Sequence, residues 1–301
     1  MPKQRKFPIV PVLLVVLPAW LIGSACFALF KYFDAEKEAA AEAGKLFARS
    51  VSTPQMADDL RKIVNVIGER NTSQPKNLKA TSSMIEGLLG PSNTGYEVKS
   101  INGPAEFPVL MVTIPTKKAD SSPVWILTSY DSPVGSRGAD KNASGLTATL
   151  ATAQALANSY PAHPIHFLFL PHVNEIDSPV AETVTIAANL IKSGPTVKAV
   201  LCVEAMASSE TLILSSRDTE AIPVSEFKNL GKVLGAEVVC LGEDFDLASV
   251  LFEMGIPALR IATRPMLLPD ENDDRLPFAP TLAASTGRFI QLTKRLAKIV
   301  P

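Results

Sequence analysis

The sequence predicts an α/β fold, with a mixed, mainly parallel twisted sheet, helices on both faces and one transmembrane helix in front. Three observations predict it. From residue 96 onward, short apolar runs rich in Val, Ile, Leu and Phe alternate with helical patterns, the order that builds a parallel sheet covered on both sides. The first two runs follow one another closely, which suits an antiparallel hairpin at one edge. Residues 7–30 contain no charged side chain, and at about 1.5 Å per residue such a helix crosses a hydrocarbon core of about 30 Å.

Taken in order, the chain divides into a basic tip (residues 1–6), an anchor (7–31), a helical stalk rich in Ala, Glu and Lys (32–52) and an α/β domain (53–301). Pro8, Pro11 and Pro18 lie in the anchor, where proline is better tolerated than in soluble helices. Lys3, Arg5 and Lys6 precede it, so the positive-inside bias places the N-terminus in the cytoplasm and the domain on the periplasmic, extracellular or lumenal side. The length of the apolar run favours an uncleaved anchor over a signal peptide. In the domain, Met56, Leu60, Ile63, Val64 and Ile67 recur at helical spacing over 53–70, with Thr53 as N-cap. Strands are expected at 96–101, 109–114, 124–128, 165–170, 199–203, 211–214, 237–241 and 258–261. Helices are expected at 143–159, 181–192, 224–234, 247–254 and 281–299.

The composition excludes some classes of function. A chain of 301 residues with a net charge of −1 lacks the basic excess of a nucleic-acid binder. There is no glycine-rich phosphate loop. The three cysteines have no metal-like spacing. Cys26 falls in the anchor, whereas Cys202 and Cys240 sit in apolar strand-like runs as buried thiols, with a bridge between them left open. Ser144 lacks the glycine that a nucleophile elbow needs two residues earlier and reads as a helix-start residue. Asp270, Asn272 and Asp274 alternate like a calcium loop, but Arg275 stands where glycine is required, leaving a solvated acidic loop as the reading.

Several short motifs fall at the expected carboxyl ends of strands, where open α/β sheets place their ligand sites. They are Tyr130-Asp131-Ser132, Gly138-Ala139-Asp140, Asn142-Ala143-Ser144-Gly145 and Gly255-Ile256-Pro257-Ala258, accompanied by Ile67-Gly68-Glu69-Arg70, Gly95-Tyr96-Glu97-Val98 and Phe167-Leu168-Phe169. In order and spacing they resemble the zinc aminopeptidase and glutamate-carboxypeptidase family of two-zinc exopeptidases. That family also includes non-enzymatic membrane relatives such as the transferrin receptor, nicalin and nicastrin.

Carried over residue by residue, the resemblance implies a metal site with most of its ligands replaced. The position of the first ligand His holds Ser129, the orienting Asp is Asp131, and the bridging carboxylate is replaced by Lys141. The general base and the ligand after it fall on Val173 and Asn174, the next acidic ligand on Glu204, and the last ligand His on Leu267. An ammonium at the bridging position repels dications. The expectation is therefore a domain without cofactor or catalytic residue, in which Lys141 pairs with Asp131 and Glu204, and which binds a protein or peptide partner beside the membrane held through residues 7–31. The alternative is an active zinc peptidase with displaced ligands, in which Glu175 is the base and Asp131, Asp140, His172 and Glu204 hold the metal. His163 and His166 flank a strand and read as packing residues.

Overall fold

The structure is a computed structural model and describes residues 16–33, 35, 52–117, 121–175, 178–217, 237–240, 246–265 and 272–299. Helix α1 (Val16–Phe33) has a mean hydropathy of 1.5 and is exposed along its length. It is the one helix among the described residues long and apolar enough to cross a membrane, a property it shares with signal sequences.

The domain is built on one eight-stranded mixed sheet. Its strands are β1 (Val98–Ile101), β2 (Val109–Ile114), β3 (Val124–Ser129), β4 (Ile165–Leu170), β5 (Ala199–Val203), β6 (Ile213–Ser216), β7 (Glu237–Cys240) and β8 (Leu259–Ala262), in the spatial order β1-β2-β4-β3-β5-β8-β6-β7. The middle four, β4, β3, β5 and β8, are parallel. The antiparallel β1–β2 hairpin closes one edge against β4, and β6 runs antiparallel to β8 at the other side.

The central strands are buried at nearly every position and mostly apolar, because both faces are covered. Their period of two divides the core. Val124 and Ile126 of β3, with Ile165, Phe167 and Phe169 of β4, point to one face and meet α2 (Thr53–Arg61), α3 (Pro75–Leu89), α5 (Gly145–Ala155) and α8 (Ala279–Leu296). Trp125, Leu127, Leu168 and Leu170 point to the other face, under α6 (Ser178–Lys192) and α7 (Leu247–Glu253). Helix α5 is buried at every residue. Its hydroxyls are satisfied within the helix, Thr147, Thr149 and Thr152 donating to the carbonyls of Ala143, Gly145 and Ala148.

All eight expected strands are present; of the expected helices, 224–234 lies outside the described residues. Three details differ from the sequence expectation. The helix expected over 53–70 is α-helical only to Arg61, passes into a π-helical turn (Lys62–Ile67) and stops at Gly68, whose φ of 84° no side chain favours. Its N-cap is Ser52, whose Oγ accepts from Gln55 N at 3.3 Å, and not Thr53. Helix α3 was not expected because its sequence is rich in Ser, Thr and Lys. It forms because Leu78, Ile85 and Leu89 share one buried stripe. A four-residue turn, α4 (Pro91–Thr94), follows it.

Phe167 is fully buried in a central strand, and Phe167→Ala is expected to cost about 3–5 kcal/mol of stability. Chemical denaturation measures it, and a change under about 1 kcal/mol contradicts this core assignment.

Candidate functional site

The carboxyl ends of β3, β4 and β5 converge on one cleft, and the residues singled out in the sequence collect there. Ser129 ends β3, and Asp131 lies two residues further on, fully buried. Burial pushes the Asp131 carboxyl above its ordinary pKa, against three donors that favour its charge. The amides of Asn174 and Val173 donate to Oδ2 at 2.7 and 2.8 Å, and Asn174 Nδ2 donates to Oδ1 at 2.9 Å. Asn174 Nδ2 also reaches Ser129 Oγ at 2.8 Å. Asn142 donates to the same hydroxyl and, at 2.5 Å, to the Ser129 carbonyl. Ser129, Asp131, Asn142 and Asn174 thus form one amide, hydroxyl and carboxylate network, in which Asn142 Oδ1 is buried without a partner among the described residues.

Glu204, at the end of β5, is paired by Arg260 of β8, whose Nε lies 2.8 Å from Oε2. Both side chains are buried, and Asp246 Oδ2 stands 3.8 Å from the same Nε. Burial and the neighbouring Glu204 charge hold the Asp246 carboxyl above its ordinary pKa. The counter-charge for Glu204 therefore comes from Arg260 and not, as expected, from Lys141. No ion pair or side-chain hydrogen bond of Lys141 occurs among the described residues, and its backbone N–H donates to Asp273 Oδ2 at 2.8 Å. The peptide that joins it to Asn142 is cis.

Asp140 is spent on structure. Its Oδ1 accepts from Ser144 Oγ at 2.8 Å and from Ala207 N at 3.0 Å, and its Oδ2 accepts from Ser208 Oγ. Ser144 in turn accepts from Met206 N at 2.7 Å, which makes it a structural hydroxyl at the helix start. Gly145 is obligatory beside it, because a Cβ there would lie 2.1 Å from the Glu204 carbonyl oxygen. Helix α5 can approach β5 this closely only through glycine.

His172 is fully buried, with Nδ1 2.7 Å from Glu175 Oε1. Glu175 also accepts from Thr72 N at 3.2 Å and Thr72 Oγ1 at 2.7 Å, so it clasps the loop after β4 to the segment after the π-helical turn. His172 Nε2 is buried without a partner among the described residues. His166 lies against Trp125 with ring centroids 4.4 Å apart and takes Thr113 Oγ1 at 2.9 Å, and burial lowers its pKa to about 4. His163 Nδ1 meets the Ser122 carbonyl at 2.9 Å. Cys202 is a free buried thiol, its pKa raised by burial. The side chain of Cys240, and Leu267 and Asp270 altogether, lie outside the described residues.

Sequence reasoning missed three residues that hold the cleft together. Arg70, fully buried, donates from Nε to the Tyr130 carbonyl at 3.1 Å and from Nη1 to those of Gly68 and Arg137 at 2.7 and 2.9 Å. Its signal was its place in the landmark Ile67-Gly68-Glu69-Arg70. The signal for Arg260 was an arginine within the apolar run of β8. Asp273 is the third. The stretch read as a solvated acidic loop is turned inward, Asp273 accepting from the amides of Asp140 and Lys141, both at 2.8 Å, and Asp274 from Arg137 N at 2.7 Å. Burial, with the Asp140 charge nearby, pushes Asp273 up to about 6.

These residues do not fit a two-metal centre. Among the described residues no group of three or more His, Cys, Asp and Glu side chains gathers as a ligand set. The carboxylates that are present already have arginine, amide or hydroxyl partners, whereas a metal needs several free donors within about 0.2 Å of ideal distance.

Two predictions follow from this geometry. Arg260→Met leaves Glu204 and Asp246 buried without a cation and is expected to cost about 3–5 kcal/mol, while Lys141→Met changes stability by less than about 0.5 kcal/mol. Equal losses in chemical denaturation overturn the assignment of the counter-charge to Arg260. Asp273 holds its proton up to about pH 6 in the folded state, against 3.8 for an unperturbed carboxyl. Its contribution to stability is complete below the lower value and is lost as pH rises through the higher one. In thermal melts from pH 7 down to pH 4, the stability advantage of wild type over Asp273→Asn is expected to widen; a constant gap contradicts the buried, proton-holding carboxyl.

No protein-family model matches the chain, and no curated protein sequence matches it. Solved structures do match. A Legionella pneumophila LapA aminopeptidase is similar with a TM-score of 0.64 at 15% identity, over 86% of this chain and 75% of that one. LapB of the same organism gives 0.66 at 15% identity, over 86% and 75%. A Bacteroides thetaiotaomicron glutaminyl cyclase bound to N-acetylhistamine gives 0.61 at 13% identity, over 80% and 97%. With the sheet order, these likenesses show that the chain has the fold of the aminopeptidases that its sequence landmarks resemble, a fold it also shares with the glutaminyl cyclase.

Proposed function

We propose that this protein is a membrane-anchored, peptidase-like domain without catalytic activity, which acts by binding a protein or peptide. The observation that carries the reading is the internal neutralisation of the cleft. Glu204 is paired with Arg260, Asp131 is held by two backbone amides and Asn174, and Lys141 occupies the bridging position implied by the resemblance. A hydrolase of this kind needs a base within reach of a metal-bound water. Glu175, the base of the alternative reading, instead has both carboxylate oxygens taken up by His172 and Thr72. Asp131, Asp140, His172 and Glu204 are likewise engaged where they stand.

The anchored placement is supported by α1 and by the three basic residues ahead of it, with the N-terminus in the cytoplasm and the domain across the membrane. That the family its motifs resemble includes non-enzymatic members supports use of the scaffold for assembly, as analogy.

Metal content tests the reading. Full-length protein in detergent, loaded with zinc and dialysed, is expected to retain far less than one zinc per chain by plasma mass spectrometry, and to leave aminoacyl anilides and N-terminal glutaminyl peptides unchanged. One or two retained zinc ions with turnover that Glu175→Gln abolishes would replace this reading with the displaced-ligand peptidase.

A further inference from the structure

An open cavity of about 410 Å³ lies between α3 and the turn that precedes β2. Its size falls within the range of about 300–1,000 Å³ usual for small-ligand sites. One wall is a stripe of α3, where Lys76, Lys79, Ser83 and Glu86 recur at helical spacing. Across from it stand Glu106, Phe107 and Pro108. The Phe107 ring also meets His172 edge-on, with centroids 5.6 Å apart, so the cavity adjoins the loop after β4 without sharing the residues of the Ser129 network.

The charges on α3 run against the helix. A helix favours acidic groups at its N-terminus and basic groups at its C-terminus. Here the first turn holds Lys76 and no acidic residue, the last turn holds Glu86 and no basic residue, and no side chain caps the N-terminus. Among the described residues the side chains of Lys76, Lys79, Glu86 and Glu106 make no hydrogen bond or ion pair, so no group within the chain offsets this arrangement. The facing turn breaks a second rule. Ala105 and Glu106 adopt φ of 50° and 68°, the left-handed region that side chains enter at a cost. Local rules are thus broken on both walls of one cavity, the pattern expected where a ligand supplies the compensation.

The charge pattern defines that ligand. At one end, Lys76 and Lys79 stand beside the uncapped N-terminus of α3, where charge and dipole together favour a carboxylate. Glu86 marks the other end, toward Pro108. Tyr130 Oη donates to the Pro108 carbonyl at 2.7 Å, and its pKa is raised by burial and by the nearby charges of Asp131 and Glu86. From Lys79 to Glu86 the helix rises about 10.5 Å over seven residues. Three extended peptide residues, at about 3.3–3.6 Å each, span the same distance. Phe107 and Pro108 offer apolar surface to a side chain in between.

We propose that this cavity binds a free tripeptide in extended form, with its C-terminal carboxylate at Lys76 and Lys79 and its N-terminal ammonium at Glu86 and Glu106. This gives the peptide-binding reading above a class of ligand, and it stands on residues that reading does not use.

Calorimetric titration of the full chain in detergent with Ala-Leu-Ala, its N-acetyl form and its C-terminal amide tests the assignment. The free tripeptide is expected to bind at one site per chain, and each blocked form at least about fivefold more weakly. Lys76→Gln and Lys79→Gln are each expected to weaken the free tripeptide about fivefold and to leave the amide unchanged. Glu86→Gln is expected to weaken the free tripeptide by a similar factor and to leave the N-acetyl form unchanged. Without peptide, Lys76→Gln and Glu86→Gln are expected to melt at or above the wild-type temperature, since each removes a charge opposed to the helix. No binding of Ala-Leu-Ala overturns the assignment and leaves the metal-content test of the non-catalytic reading untouched. Equal binding of free and blocked forms also overturns it, as does a melting temperature several degrees below wild type for these two variants, which gives the charges a structural role. Cleavage of the tripeptide, read by mass spectrometry, removes the non-catalytic reading and leaves the cavity standing where the variants keep their pattern.

Discussion

The buried guanidinium of Arg70 is the interaction on which the cleft depends. It gathers backbone carbonyls from the π-helical turn, from Gly68, from the end of β3 and from the loop at Arg137. These carbonyls come from turns and strand ends that regular structure leaves partly unpaired, and one planar side chain with five N–H groups reaches several at once. Burial lowers its pKa, but only to about 10, so the charge persists at neutral pH. The reciprocal bonds between Arg70 and Ser132, N to Oγ at 2.9 Å and Ser132 N to the Arg70 carbonyl at 2.6 Å, complete the joint. The helical layer and the sheet meet through this residue as much as through apolar packing.

From that joint the cleft is assembled by polar groups that satisfy one another. The loop after β3 is held by Glu69 and Asp274, the turn before α5 by Asp273, and the loop after β4 by Asp131 and Glu175. Each carboxylate is bound at a loop amide, where an ionised acceptor makes a stronger bond than a neutral one. The result is a buried polar cluster whose charged groups are paired or hydrogen-bonded within the chain.

The strands of the sheet were legible because Val, Ile, Leu and Phe leave few alternatives at positions buried on both faces. The landmark motifs were legible because Gly68, Gly138 and Gly145 occupy backbone positions that other residues fill at a cost. Helix α3 was not legible, since its polar composition hides a stripe of only a few apolar side chains. The partners within the cleft were also hidden. Periodicity places Glu204 at the end of a strand, but nothing local says that Arg260, three strands on in sequence order, is brought beside it by the pairing of Cys202 with Arg260. Pairings of this sort are set by sheet order, which single-chain patterns do not encode. The acidic stretch at Asp273 and Asp274 misled for a related reason, because a run of charges reads as solvated until the amides it binds are in place.

The network around Ser129 resists redesign. A histidine at position 129 removes the hydroxyl that receives Asn142 and Asn174, so two buried amides lose an acceptor before any metal repays them. A carboxylate at position 141 adds negative charge beside Asp140 and Asp273, and freeing Glu204 strands Arg260. Positions 129, 142 and 174, and likewise 204 and 260, are thus tied together: a substitution at one leaves its buried partner without an acceptor or a counter-charge, so each group tolerates change only as a set.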